Sequence, residues 1–372
     1  MSQPTDNPPP VITPQGRRFV VLWSGFLIAL FVVAGIVLVS GQHRHKLAAI
    51  EQQAAQIDPQ AVEPGLTSAD AALPEGAHPV EVTTGIYVER IIAVSVKDFE
   101  WKVEFYVWFR WQGDDIQLED GFEVIDGAIE SAKKEREYAE GQSHYELYRV
   151  VAQITKFFDV SRFPRDDHLL TINLETPAHR RHELLFRADA ENSAVSSRVR
   201  VPGYVIDRMV AVEKPHAYKT GRGDPRIPPG VKTTHSQFRC GIKIERPDAG
   251  LYVKMFQALF VACGIALLAL FIKPTDVDPR FGLGVGGLFA GVANSYITSA
   301  LVPDTGAMTL ADLVNGVGIA IILLSIVEST ISLYLYDRRG REALSRVFDR
   351  ASFWILISGA VAVNAALFLA AA

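Results

Sequence analysis

Five long apolar stretches constrain what this chain can fold into. They run over residues 19–39, 255–272, 281–302, 310–335 and 352–371. A helix crosses the hydrocarbon layer of a bilayer with roughly 20 apolar residues, in a range of about 17–25. The second stretch lies near the short end of that range and the fourth near the long end. One such helix fits in a soluble core. Four of them in the last third of a 372-residue chain describe a membrane domain. The remaining length is enough for a separate water-facing domain. A net charge of -5 gives no basic surplus for nucleic acid. Two cysteines, Cys240 and Cys263, supply neither a disulfide framework nor a thiolate metal site. No cofactor is implied.

The first stretch follows Arg17 and Arg18, as a signal peptide would. Its length, the residues ahead of the arginines and the weak small-residue site at Val39-Ser40-Gly41 favour an uncleaved anchor. Arg338, Arg339, Arg341, Arg346 and Arg350 crowd the segment between the fourth and fifth stretches, which places it in the cytoplasm. Counting back, the turn over residues 273–280 is cytoplasmic and the large region 42–250 lies outside. An anchor that enters from inside gives the same count, with a cytoplasmic N-terminus and an external C-terminus. The expected divisions are a tail over 1–18, the anchor over 19–40, a helix and linker over 41–80, a sandwich over 81–246 and a four-helix domain over 247–372.

In the outer region, residues 43–60 can extend the anchor as a helix, and the Ala-, Pro- and Gly-rich residues 61–80 read as a linker. Strand patterns follow. Val103, Phe105, Val107, Phe109 and Trp111 alternate with Lys102, Glu104, Tyr106, Trp108 and Arg110, the period-two mark of a half-buried strand. Leu170, Ile172 and Leu174 repeat it, and Tyr148, Val150, Ala152 and Ile154 do so less sharply. Residues 204–212 and 237–244 read as further strands. Helical patterns do not alternate with these strands, so an antiparallel sandwich is expected rather than an α/β sheet. Asp114, Asp115, Glu119, Asp120, Glu123, Asp126 and Glu130 form an acidic run. It reads as a solvated sheet face or as a surface sensitive to divalent cations or protons; no calcium-loop spacing is present and no metal ligands are assigned.

Several short motifs, taken in order, resemble the pentameric ligand-gated ion channel superfamily, in its bacterial branch without the signature-loop disulfide. The resemblance covers residues 81–369. Tyr106 to Trp111 followed by Asp114 resembles the aromatic second strand. Phe158-Asp159-Val160 with Phe163-Pro164-Arg165-Asp166 resembles the signature loop. Arg246-Pro247 resembles the basic residue before the first channel helix, and Leu301-Val302-Pro303 resembles the loop between the second and third. The chain departs from the pattern at His168, where the family has glutamine. It also lacks a proline within 251–273 and most of the polar rings of the inner pore helix, and it adds the anchor. The resemblance implies an extracellular antiparallel β-sandwich followed by a four-helix transmembrane bundle. It also implies a homopentamer in a bacterial inner membrane, in contact with lipid and permeable to monovalent cations.

The implied pore-lining face is Gly282, Gly286, Phe289, Ala293, Tyr296 and Ala300, at helical spacing, with Phe289 as the hydrophobic gate. Gly284, Gly287 and Gly291 read as helix-packing positions, and Asn294 and Ser295 as residues facing a neighbouring helix. Asp276 and Asp278 at the inner mouth favour cations, against the nearby Lys273 and Arg280. Glu328, within the fourth stretch, must face protein, water or a partner. The resemblance assigns coupling of sandwich to helices to Phe163, Pro164, Asp166, Arg246 and Pro303, with Asp166 pairing with Arg246 or another cation. It makes Trp108, Tyr204 and Tyr218 candidates for an unknown small ligand, beside a loop carrying His216 and His235.

An enzyme is not expected: the sequence lacks H-E-x-x-H, G-x-S-x-G and paired zinc motifs, and the glycines of 282–287 run on into a span. Two alternatives to a ligand-gated channel stay open at this stage. One is a non-conducting membrane sensor or assembly protein on the same fold. The other is a channel gated by membrane tension or lipid.

Overall fold

A computed structural model describes residues 12–61, 67, 72–113, 116, 121–247 and 249–371. The chain divides into two compact units. One gathers Met1–Lys46, Val160–Asp166 and Asp248–Ala372; the other gathers Leu47–Asp159 and Asp167–Pro247.

Among the described residues the sheet unit carries ten strands: β1 Val80–Ser95, β2 Glu100–Gln112, β3 Glu123–Ile125, β4 Gly127–Glu140, β5 Ser143–Thr155, β6 Asp167–Glu175, β7 Leu184–Ala188, β8 Ala194–Val195, β9 Val205–Tyr218 and β10 Thr233–Glu245. One sheet has the order β4-β5-β2-β1-β7, with β8 also on β1; the other has the order β3-β6-β10-β9. The alternation read in β2 is realised: Val103, Phe105, Val107 and Phe109 are fully buried between the sheets with Leu170, Ile172, Leu174, Phe186 and Phe238. Most pairings are antiparallel, as expected, but β1 pairs with β7 and β8 in parallel. The chain crosses from the second sheet to the first after β6, and so approaches β1 from the same end. That crossover leaves no alternation in the sequence to announce it. Of the acidic run, Asp114, Asp115, Glu119 and Asp120 lie outside the described residues, as do residues 62–66 and 68–71 of the linker; Glu123, Asp126 and Glu130 are exposed.

The described residues also form five α-helices: α1 Pro14–Ile57, α2 Gly250–Leu268, α3 Val277–Ser299, α4 Leu310–Leu333 and α5 Glu342–Ala371. The anchor and its helical extension are one 44-residue helix, α1. Its last turns belong to the sheet unit, where they lie on β6, β9 and β10. Lys214 Nζ donates to Ala55 O at 2.7 Å and Arg239 Nη1 to Gln56 O at 2.9 Å. These are carbonyls without intrahelical partners at the negative end of a helix, so cations are the groups that suit them.

In the helical unit the first half of α1 packs on α5. Phe31 lies over Gly359, where a Cβ would meet its ring at 2.6 Å. Trp23 Nε1 donates to Glu328 Oε1 at 3.3 Å, and Glu328 is fully buried. The carboxylate in the fourth stretch thus faces protein, and the anchor supplies its partner. Pro274 follows the short 3-10 turn Ala269–Phe271 that closes α2; its ring cannot continue a helix. Pro279 falls in the first turn of α3, where its missing N–H costs nothing, and Asp278 there suits the positive helix end. Thr309 and Asp312 close a reciprocal capping box at the start of α4.

Among the described residues, four helices are long and apolar enough to cross a membrane: Pro14–Ile57, Gly250–Phe271, Leu310–Arg338 and Glu342–Ala371. The fifth expected span, α3, has 23 residues and is long enough. Its many glycines, with Asn294, Ser295, Thr298 and Ser299, keep its most apolar stretch below those of the other four.

Candidate functional site

The two faces of α3 differ in what they touch. Arg280, Gly284, Gly287, Gly291, Asn294 and Thr298 are buried, at the spacing of one helix face. The glycines there let neighbouring helices close in: a Cβ at Gly284 would sit 2.6 Å from Ile326 Cγ1, and one at Gly291 would sit 3.3 Å from Ile319 Cγ1. These are packing positions. Asn294 Nδ2 donates to Asn315 Oδ1 at 2.8 Å, and Asn315 Nδ2 donates to Thr298 Oγ1 at 2.7 Å, so the polar residues of this face satisfy one another across α3 and α4.

The other face is open. Gly282, Gly286, Phe289, Ala293, Tyr296 and Ala300 are all exposed in the single chain, Phe289 at 73% and Tyr296 at 80%. A Cβ on Gly282 or Gly286 would meet nothing within 4 Å. A paired substitution separates the faces. Gly284→Ala should lower the thermal unfolding temperature, at a cost of about 1–3 kcal/mol for overpacking, whereas Gly286→Ala should leave it unchanged. Equal destabilisation by both, in thermal unfolding of the purified protein, would contradict this division.

Asp276 and Asp278 are exposed at the start of α3. Arg280, expected beside them at the mouth, is not available there. It is buried and forms a two-pronged ion pair with Asp349 of α5: Nη2 to Oδ1 at 2.7 Å and Nη1 to Oδ2 at 3.2 Å. Ser332 Oγ donates to the same carboxylate at 2.8 Å, and Arg280 Nη1 also donates to Ile272 O at 2.9 Å. Lys273 stays exposed, its ammonium 5.6 Å from the Tyr336 ring. The Arg280–Asp349 pair was not legible in the sequence: the partners are 69 residues apart and no spacing rule links them.

The segment 160–166 lies among the helices. Leu310 N donates to Ser161 O at 2.9 Å and Ala311 N to Phe163 O at 3.1 Å, fastening it to the start of α4. The Arg165 guanidinium lies 4.6 Å from the Phe368 ring of α5, and Gln42 Nε2 of α1 reaches Ser161 O at 3.4 Å. Phe163, Pro164 and Asp166 are buried, and the Phe163-Pro164 bond is cis. Pro303 is half-buried in the loop between α3 and α4. Within the sheet unit, Arg246 Nη2 donates to Tyr204 Oη at 2.6 Å, and its guanidinium lies 4.1 Å from that ring.

The three candidate ligand aromatics do not share a pocket within one chain. Tyr204 lies just before β9 and Tyr218 ends it, up to roughly 45 Å apart at about 3.3 Å per residue. Trp108 is on β2 in the other sheet. It lies flat across Gly85, where a Cβ would come within 2.1 Å of its ring, and donates to Asp189 Oδ2 at 3.1 Å. Tyr218 belongs to a polar cluster. Its hydroxyl donates to Glu175 Oε2 at 2.8 Å, Gln237 Nε2 donates to Glu175 Oε1 at 2.7 Å, and His216 Nδ1 is bonded to the same carboxylate. Burial acts to raise the Glu175 carboxyl, but the hydrogen bonds and the His216 charge outweigh it and hold the group below the usual carboxylate range. Burial, with the Glu175 charge beside it, raises the Tyr218 hydroxyl. Burial lowers His235, whose Nδ1 lies 2.9 Å from His179 O. Arg222 covers the Tyr218 ring at 4.0 Å, so the chain's own cation fills the place an amine would take.

Among the described residues, no group of three or more His, Cys, Asp and Glu side chains is placed to hold a metal ion. Cys240 and Cys263 are buried and unbridged. The chain is a multi-pass membrane protein with a folded sheet domain outside the bilayer, a generic channel-like architecture. No protein-family model and no curated protein matches it.

Proposed function

We propose that the chain assembles as a homopentameric ion channel of the ligand-gated type, conducting monovalent cations, with the sheet domain on the periplasmic side of a bacterial inner membrane. The observation that carries this reading is the open face of α3. It belongs to the long helix that lacks the apolar stretch of the other four, and it coincides with the face that the resemblance assigns to the pore. Glycine, alanine and two aromatic side chains are exposed there in the single chain, while the opposite face is packed closely against its neighbours at glycine. Five copies around an axis bring these open faces together, and five Phe289 rings then form an apolar constriction that closes by excluding water.

Cation preference rests on Asp276 and Asp278, exposed at the start of α3, together with the withdrawal of Arg280 into its pair with Asp349. Of the two cations expected to oppose the carboxylates, Lys273 alone is left at the surface. Coupling is assigned to the segment carrying Phe163, Pro164 and Asp166, which grips the starts and ends of membrane helices, with Arg246 and Pro303 as its counterparts in the resemblance. A small ligand binds where Tyr218 of one copy meets Trp108 of the next, since no single chain joins them. Tyr204, held by Arg246, is then a structural rather than a ligand aromatic.

Native mass spectrometry should return a five-subunit particle, and the purified protein in planar bilayers should pass cation-selective current while pH, calcium and small amines are varied. A monomer or dimer in solution overturns the ring. Folded pentamers that stay silent, including when the gate residue is altered, favour the non-conducting sensor instead.

A further inference from the structure

The end of α1 helps to form a cleft in the sheet unit for which the channel reading has no use. The chain passes from β3 in one sheet to β4 in the other at Asp126, whose φ is 63°. On this side the two sheets part, and a cavity of about 820 Å³ opens between the start of β4, the end of β5, β6, β10 and the last turns of α1. Its lining is mixed. Gln52 and Gln56 of α1, with Gln153 and Asn173, supply amides, and Phe157 supplies an aromatic wall. Phe157 is stacked on Phe99, with centroids 5.6 Å apart and planes within 9°, yet it remains 69% exposed. One face of its ring is therefore held while much of it stays open.

Lys156 brings to this cleft an ammonium without a bonded partner. It is half-buried, and among the described residues its ammonium makes neither a hydrogen bond nor an ion pair. The other charged groups in the lining are accounted for. Arg239 donates to Gln56 O at 2.9 Å and to Asn173 Oδ1 at 3.0 Å, and so stiffens the wall. Glu130 pairs with Lys102 at 2.5 Å. Asp126 is exposed at the rim. Burial first, then the like charge of Arg239, lowers the Lys156 ammonium to about 8, against an opposing pull from Asp126. A half-buried ammonium without a partner is a group whose desolvation a ligand anion can offset.

We infer that this cleft binds a small organic carboxylate with an apolar body, Lys156 taking the carboxylate, the surrounding amides its remaining lone pairs, and Phe157 the body. A carboxylate suits the site better than a phosphate. Lys156 is a single point charge with three donors, no fork of arginine donors is free to grip a dianion, and Asp126 and Glu130 in the same lining repel a second negative charge. The inference does not depend on conduction, and its test reads binding alone.

Benzoate is a suitable probe, titrated by calorimetry into the detergent-solubilised full-length protein. Saturable binding of one benzoate per chain is expected at pH 7. Lys156→Met should weaken it by about tenfold or more, as expected for loss of a partly desolvated charge pair, while Lys156→Arg keeps most of it. Phe157→Ala should weaken benzoate without creating affinity for inorganic phosphate. Because the ammonium is charged below about 8 and neutral above, benzoate binding should be full at pH 7 and fall as pH rises through that value. Circular dichroism melting of each variant shows whether it is folded. The inference is overturned if benzoate binding is absent, if it is unchanged in a folded Lys156→Met protein, if benzylamine binds as well as benzoate, or if phosphate displaces it at equal concentration.

Discussion

Phe289→Ala should convert a channel that rests closed into one that leaks. Phe289 is 73% exposed in the single chain, so its phenyl group contributes little to the fold of that chain. In the proposed ring it meets its own copies, and the substitution removes every phenyl of the constriction at once. An apolar ring of that kind closes because water leaves it, and alanine leaves a wider, wetter passage. Basal current in planar bilayers should rise by roughly tenfold or more, which corresponds to about 1.4 kcal/mol taken from the closed state. Thermal unfolding should hardly move, by about 0.5 kcal/mol or less, the usual limit for an exposed position. A large loss of stability with no change in current would place Phe289 in a packing interface and remove the gate from the proposal.

The largest stability effect should come from Asp349→Ala. Asp349 is the carboxylate paired with Arg280, whose side chain has no exposed surface. Removing it strands a guanidinium in a low-dielectric helix bundle. The cost of breaking a buried pair from one side is about 3–5 kcal/mol, seen as a fall of about 10 °C in the unfolding temperature of the detergent-solubilised protein. The double variant Arg280→Met with Asp349→Leu should recover most of that loss, because apolar groups of similar volume often replace a buried pair at little cost. Recovery also in Arg280→Met with Asp349→Ala, which removes the stranded charge but leaves the cavity unfilled, separates the stranded charge from a mere cavity. An Asp349→Ala protein that melts within about 1 kcal/mol of the parent would show that the pair carries little of the bundle's stability.

The glycines of α3 show how far the sequence reaches and where it stops. Periodicity separates Gly282 and Gly286 from Gly284, Gly287 and Gly291, because a helix repeats every 3.6 residues. It does not say which set is covered. Ile326, Ile319 and Leu259 decide that, and they come from other helices. The aromatic candidates fared differently. Tyr204, Tyr218 and Trp108 were grouped by residue type, and strand geometry separates them. Tyr204 and Tyr218 instead lie under the chain's own arginines, Arg246 and Arg222. Arg222 follows Tyr218 by only four residues, but nothing local in the sequence joins Tyr204 to Arg246, 42 residues away.

By itself the sequence determined the membrane helices and the sandwich, because both follow from local rules. A run of about 20 apolar residues spans a bilayer, and a period of two buries one face of a strand. It also determined that residues 43–60 can continue the anchor, since no helix breaker interrupts most of them. Only the tertiary structure decided what those helices meet. It set Glu328 against Trp23, Arg280 against Asp349, and the last carbonyls of α1 against Lys214 and Arg239. It also left Lys156 without a bonded partner in a cleft between two sheets. The physical reason is the cost of a buried charge. That cost depends on which groups the fold brings within hydrogen-bonding distance from far along the chain, and a one-dimensional pattern holds no record of that meeting.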